Sequence, residues 1–173
     1  MVILIDGYNL IRQSDSLRRY EHKSLEEGRR ALISRLIDYE KKKRHKITVV
    51  FDGWKSGSAD EGRDREGKID IIYSRYGEKA DEVIKRLTSR VIGDVIVVSS
   101  DREISSFAVR SGKTALTSPE FEVILNKVIY EPAGTKPAPQ LRSDSGERQS
   151  KKKGPSRRLP RAKRKAQTKI AKL

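Results

Sequence analysis

Three short apolar runs of this sequence each close on an aspartate: MVILIDG on Asp6, ITVVFDG on Asp52 and VIVVSSD on Asp101. One such acid is an ordinary cap, because an Asp side chain accepts hydrogen bonds from the free backbone amides of the next element. Three endings of the same kind point to a site. A fourth acid, Asp81 in YSRYGEKADEVIKRL, sits near the start of a helical pattern between Glu78 and Glu82. Compensation of the helix macrodipole accounts for Glu78 and Glu82. Asp81, preceded by small Ala80 and followed by Val83 and Ile84, is read as a member of the site.

Carboxylates gathered within a few ångströms repel one another, so a cluster of them is protonated, paired with cations or occupied by metal. Hard oxygen donors with no Cys or His beside them suit Mg²⁺ or Mn²⁺, which take few protein carboxylates and keep several waters. The chain has no cysteine, and His22 and His45 stand outside any zinc-binding spacing. An ion held by carboxylates can acidify a water, stabilise a pentavalent phosphorus and neutralise a leaving oxygen. Phosphodiester hydrolysis uses all three effects. Other phosphate chemistries lack their signatures. There is no GxxxxGK[ST] loop and no GxGxxG after the first run, and no second acid stands two residues after Asp6.

Positioning those acids falls to an α/β body. Strands are expected at residues 2–5, 47–51, 69–73 and 94–99, with a weaker one at 114–116. The first, second and fourth are unbroken apolar runs, as in parallel strands buried on both faces. Between them lie helical patterns. Ser24 and Glu27 form a capping box ahead of Leu25, Leu32, Leu36 and Tyr39. Further helices are expected over 78–92 and 101–111 and from Ser118-Pro119 onward. The rhythm predicts an open parallel sheet with helices on both faces, in which Asp6, Asp52 and Asp101 share the edge where such sheets bind ligands. The charged, glycine-rich GWKSGSADEGRDREGK is expected to be a mobile flap beside that crevice, touching RNA through Lys55 and Arg63.

The net charge of +15 is unevenly placed. Residues 131–173 carry 14 Lys or Arg against 3 Asp or Glu, while the first 130 residues carry 25 against 21. The tail also holds Pro132, Pro137, Pro139, Pro155 and Pro160 and few large apolar residues, so it is expected to be disordered and to bind polyanions by counterion release. Its contacts are assigned to Lys151, Lys152, Lys153, Arg161, Lys163, Arg164 and Lys165. The domain boundary is therefore drawn at 130/131. The first apolar run is too short to span a bilayer, and the absence of cysteine suits a reducing cytoplasm.

The stretches LIDGYNLI, VVFDG, YSRYGEKADEVI and VVSSDREI, in that order, resemble the YacP-like NYN domains of the PIN-like nuclease superfamily. The resemblance covers residues 1 to about 130. It implies a Rossmann-like PIN fold and a metal-dependent endoribonuclease, sometimes associated with ribosomes. It also implies Asp6, Asp81 and Asp101 as metal-holding acids with Asp52 as a fourth, Asn9 as a ligand for a water or a phosphate oxygen, and Ser100 as the small hydroxyl residue before the last Asp.

Several of these residues keep a second reading. Ser100 and Glu103 also form a capping box, Asn9 could make an Asx-turn, and Gly7 and Gly53 could serve turn conformations. Tyr8 and Trp54 either stack on unpaired bases, which favours single-stranded RNA, or pack on the domain. Two function classes follow: a Mg²⁺- or Mn²⁺-dependent endoribonuclease acting on RNA, mRNA on the ribosome included, and a non-catalytic RNA- or ribosome-binding protein with the same fold.

Overall fold

The computed structural model of the chain describes residues 1–53 and 61–130, the backbone of 161–163, and 164–173. Six strands form one sheet: β1 (Val2–Asp6), β2 (Lys46–Phe51), β3 (Gly62–Glu66), β4 (Ile69–Tyr73), β5 (Val95–Val98) and β6 (Thr114–Leu116). Their order is β3-β4-β2-β1-β5-β6, with every pair parallel except β3 with β4. Strand alternation divides the apolar residues between two cores. Ile3, Ile5, Ile47, Val49, Phe51, Ile96 and Val98 face one side of the sheet, and Leu4, Val50, Val95 and Val97 face the other. The first side is covered by α1 (Gly7–Gln13), α2 (Asp15–Glu21), α3 (Leu25–Lys43) and α6 (Ser118–Tyr130). The second is covered by α4 (Ala80–Arg90) and α5 (Arg102–Arg110). The expected α/β architecture with helices on both faces is the one present.

Two helices and one strand depart from the expectation. α1 and α2 follow β1 directly, although Gly-Tyr-Asn is a weak helical start. The start is held by Asp6, which accepts from the Asn9 amide at 3.1 Å, and Ser14 does the same for α2 through the Leu17 amide at 3.2 Å. Gly7 is helical and serves close packing, because a Cβ there would overlap the Phe51 ring. Part of the expected flap is β3, whose Gly-Arg-Asp-Arg-Glu sequence shows no apolar alternation. It is an edge strand whose exposed charges discourage further pairing, and Gly67 at φ +58° turns it into β4 through a two-residue connection. Residues 54–60, with Lys55 and Trp54, lie outside the described residues.

The last residues differ from the expected unfolded tail. Residues 161–170 form α7 (Arg161–Ile170), and Leu173, only 3% exposed, joins the core beneath α3. The buried Tyr39 hydroxyl donates to the Leu173 carbonyl at 3.1 Å, and Lys169 pairs with Asp94 at 2.8 Å. Ile170 and Leu173, three apart, form a small apolar face that average composition conceals. Residues 131–160, with Lys151, Lys152 and Lys153, lie outside the described residues, as do the side chains of Arg161 and Lys163.

Candidate active site

The strand alternation that builds the second core also aims the acids. Leu4 and Val50 face α4, and one pleat further on Asp6 and Asp52 continue on the same side, toward the end where α4 begins with Asp81. β1 and β5 are neighbours whose onward connections lead to opposite edges of the sheet, so their ends flank the topological switch point. Asp6, Asp52, Asp81 and Asp101 accordingly line one cleft of about 380 Å³, together with Tyr8, Asn9 and Arg12.

Three of the four carboxylates, Asp6, Asp52 and Asp101, are anchored by their own donors. Asp6, 8% exposed, accepts from the Asn9 amide through Oδ1 and from Ser99 Oγ through Oδ2, both at 3.1 Å. Asp101 caps α5, with Oδ1 accepting from the Glu103 amide at 2.6 Å and the Ile104 amide at 3.3 Å. Asp52 accepts from Ser74 Oγ at 3.0 Å, and Ser74 Oγ in turn accepts from the Gly53 amide. The bland reading of Asp6 and Asp101 as helix caps is thus also true. Capping uses one oxygen of each and fixes where the other stands.

Electrostatics distinguishes Asp6. Burial, opposed by its two hydrogen bonds and reinforced by Asp81 and Asp101, pushes its carboxyl up to about 6. Asp81 is also raised, by burial first and then by Asp101. A cleft whose acids hold protons this tightly favours a cation. The donors are all oxygens and suit Mg²⁺ or Mn²⁺. Among the described residues no group of three or more His, Cys, Asp or Glu is placed to hold a metal ion.

Asn9, which lines the cleft, and Ser100 also belong to a hydrogen-bond network behind the acids. Asn9 Oδ1 accepts from the Ser100 amide at 2.9 Å and from Ser118 Oγ at 2.7 Å, tying the β5–α5 turn and the start of α6 to α1. The Ser100 hydroxyl accepts from the Ser118 amide at 3.2 Å, and the helix cap is Asp101. In this turn the hydroxyl residue that touches the acids is Ser99, which donates to Asp6 and accepts from the Asp101 amide, both at 3.1 Å. Sequence reasoning passed over it, although Ile5 pairs with Val98, so Asp6 and Ser99 are the next residues of adjacent strands.

Tyr8 packs on the domain. Its ring meets Phe51 edge-on at 5.2 Å, its hydroxyl accepts from Arg29 at 3.2 Å, and the Arg12 guanidinium lies over it at 5.4 Å. Arg12, half-tied to Glu21 at 3.3 Å, is the cation of the cleft wall that sequence reasoning missed. Arg63 lies outside this cleft, on β3, paired with Glu61 at 2.9 Å. Gly53 again serves close approach, since a Cβ there would collide with the Ser74 carbonyl.

Comparison with known proteins agrees with this architecture. Residues 3–171 match the family described as the YacP-like NYN domain, a span that includes α7. The chain is 28% identical over 103 residues to the Bacillus subtilis (strain 168) "Uncharacterized protein YacP", an alignment covering 58% of this chain and 60% of that protein. The match thus spans less than two thirds of that relative's length. A crystal structure of a mutant of Rae1 (YacP) from Bacillus subtilis superposes with a TM-score of 0.63 at 23% identity, covering 74% of this chain and 76% of that one. A second Rae1 (YacP) structure gives 0.61 at the same identity, covering 74% and 75%. At that identity the likeness speaks for the fold.

Proposed function

The chain belongs to the YacP-like NYN domain family, a PIN-like nuclease-type domain, and from that premise and the geometry of the cleft we propose that it is a metal-dependent endoribonuclease. The observation that carries the reading is the convergence of Asp6, Asp52, Asp81 and Asp101 on one cleft, with Asp6 raised to about 6. Asp6, Asp81 and Asp101, with Asp52 at the margin, would hold a Mg²⁺ or Mn²⁺ ion, which when bound supplies an acidified water and charge neutralisation at phosphorus.

The chain's own residues do the rest. Ser99 and the Asn9 amide orient Asp6, the first turn of α5 orients Asp101, and Asn9 with Ser118 fixes the turn that carries it. Preorganisation of this kind spares the site reorganisation when charge develops on the phosphate. Arg12, exposed at the cleft wall, is placed to donate to a phosphate oxygen of bound RNA. Lys85, paired with Glu103 beside Asp81 and Asp101, offers a second cation at the rim.

The separation of the described acids keeps a second reading in play, an RNA-binding protein that does not cut. Incubation of the protein with labelled RNA in Mg²⁺ or Mn²⁺, with and without EDTA, decides between them. Chelator-sensitive cleavage that is absent from Asp6→Asn supports the nuclease; tight binding without cleavage in either metal supports the second reading. Among the described residues no helix is long and apolar enough to cross a membrane, and the proposed setting is the cytoplasm.

A further inference from the structure

We propose that the end of the sheet opposite the acidic cleft is a second polyanion site, an RNA-backbone dock built from the last turn of α3 and from α7; the choice of RNA rests on the nuclease reading. All five parallel strands begin at this end. Lys46 donates its amide to Met1, Val2 donates its amide to Asp94, and Lys169 of α7 pairs with Asp94. The side chains of Lys165 and Lys169 line a groove against Lys113 and Thr114, where β6 starts. α7 therefore lies across the strand beginnings, next to the Arg44–His45–Lys46 entry into β2 through the Tyr39, His45 and Leu173 contacts.

Four acids of this end are already paired. Asp38 pairs with Lys41, Asp70 with Lys46 and Arg65, Glu40 with Lys68, and Asp94 with Lys169. Lys43, Arg44, Arg164 and Lys165 have no acidic partner among the described residues, and all but the half-buried Lys43 are exposed. His45 feels the resulting field: burial, then the N-terminal amino group and Lys43, holds its pKa below the ordinary value.

Arg44 supplies a second, independent observation. It caps α3 at φ 54°, the left-handed conformation that favours Gly or Asn, and it is the one non-glycine among the described residues with positive φ. Complementing the helix dipole does not require it, since Lys41, Lys42 and Lys43 already fill the last turn. A cation kept where Gly would be more stable is explained if the charge is used.

A lipid surface fits poorly. Ile170 of α7 and Leu173 just beyond it pack against the core, which leaves no large apolar side chain among the described residues of α7 to insert between acyl chains. β1 spans five residues, so at ~3.3 Å per residue the strand alone sets the two ends of the sheet about 13 Å apart. The favoured substrate is therefore an RNA long or structured enough to pass along the flank and reach both ends. A short oligonucleotide engages the cleft alone.

The test uses the full chain and its variant Lys43→Gln/Arg44→Gly/Arg164→Gln/Lys165→Gln, with affinity for a long hairpin RNA measured across a salt series. The variant is expected to bind on the order of a hundredfold more weakly at about 0.15 M salt, with the log–log salt slope reduced by about 3. Cleavage of a short single-stranded oligonucleotide by the two proteins should be equal. Arg44→Gly alone guards against misfolding, because Gly suits the left-handed cap; its melting temperature should be unchanged or higher while the salt slope falls by about 0.7–0.9. An unchanged slope in both variants overturns the dock. Equal RNA affinity combined with lost binding to phosphatidylserine vesicles overturns the choice of RNA. If neither protein cuts any RNA, the nuclease reading fails and the salt slope still decides the dock.

Discussion

The two ends of the sheet carry opposite charges and are built in opposite ways. At the strand C-termini the acids are few and half-buried or buried, and Asp6, Asp52 and Asp101 are each fixed by hydroxyl or amide donors. At the strand N-termini the cations are many and mostly exposed, and Lys43, Arg44, Arg164 and Lys165 have no acidic partner among the described residues. The difference follows from what each end is proposed to do. Charge that takes part in bond breaking has to be placed before the substrate arrives, at some expense in stability. Charge that captures a polyanion needs only to be accessible, because counterion release does not depend on fixed geometry.

Asp6→Asn sharpens this contrast most. Its removal from the cleft is expected to lower RNA cleavage by at least about 10²–10³-fold, yet to stabilise the metal-free protein. Below the ordinary value of 3.8 the carboxyl is protonated in both folded and unfolded states. Between 3.8 and about 6 the unfolded chain releases its proton first, so stability falls as pH rises through that window. Ionising Asp6 in the metal-free fold therefore costs about 3 kcal/mol at neutral pH. Melts in chelator should show the wild type losing stability across this window and Asp6→Asn losing less. Mn²⁺ should raise the melting temperature of the wild type more than that of the variant. A wild-type melt that is flat with pH and insensitive to millimolar Mn²⁺ would count against a crowded acid site.

The opposite end should respond in the opposite sense. Leu173 is buried with Ile170 against the core, so Leu173→Ala is expected to destabilise by about 2–5 kcal/mol, read as a lower denaturant midpoint, with the cleavage rate of folded protein unchanged. A midpoint within error of the wild type would return residues 161–173 to the role of a removable tail.

That tail marks the limit of what composition discloses. Its charge and proline density describe an average, whereas Ile170 and Leu173 act as a pair at one place. The same limit hid β3, whose charged sequence pairs through its backbone, and α1, which a single Asp6 cap starts despite poor propensity. By contrast, the runs that became β1, β2 and β5 were legible because they are buried on both faces, and the aspartates that close them follow from the same pattern. Asp6, Asp52 and Asp101 were readable for that reason, and Asp81 from its place at the start of a helical pattern. Ser99, Ser74, Ser118 and Arg12 were not, because their partners come from other elements and depend on register and crossing order.

Ser99→Ala is the smallest of these perturbations. It removes one donor from Asp6 and one acceptor from the Asp101 amide, at about 1–2 kcal/mol of stability. A hydrogen bond to a carboxylate holds its pKa down, so its loss should lift Asp6 further and move the acid limb of the pH–rate profile to higher pH. A profile that stays in place would leave Ser99 with a structural role alone.

The account rests on separate ends for cutting and for capture. Its most direct test is to measure, on one long RNA, both the dissociation constant and the single-turnover cleavage rate at saturating protein in Mg²⁺ or Mn²⁺. The comparison takes in the wild type, Asp6→Asn and the four-charge variant of α3 and α7. The expected result is a rate lost in Asp6→Asn with affinity retained, and an affinity lost in the charge variant with the saturated rate retained. A charge variant that binds normally but cuts slowly, or an Asp6→Asn protein that cuts at the wild-type rate, would contradict it.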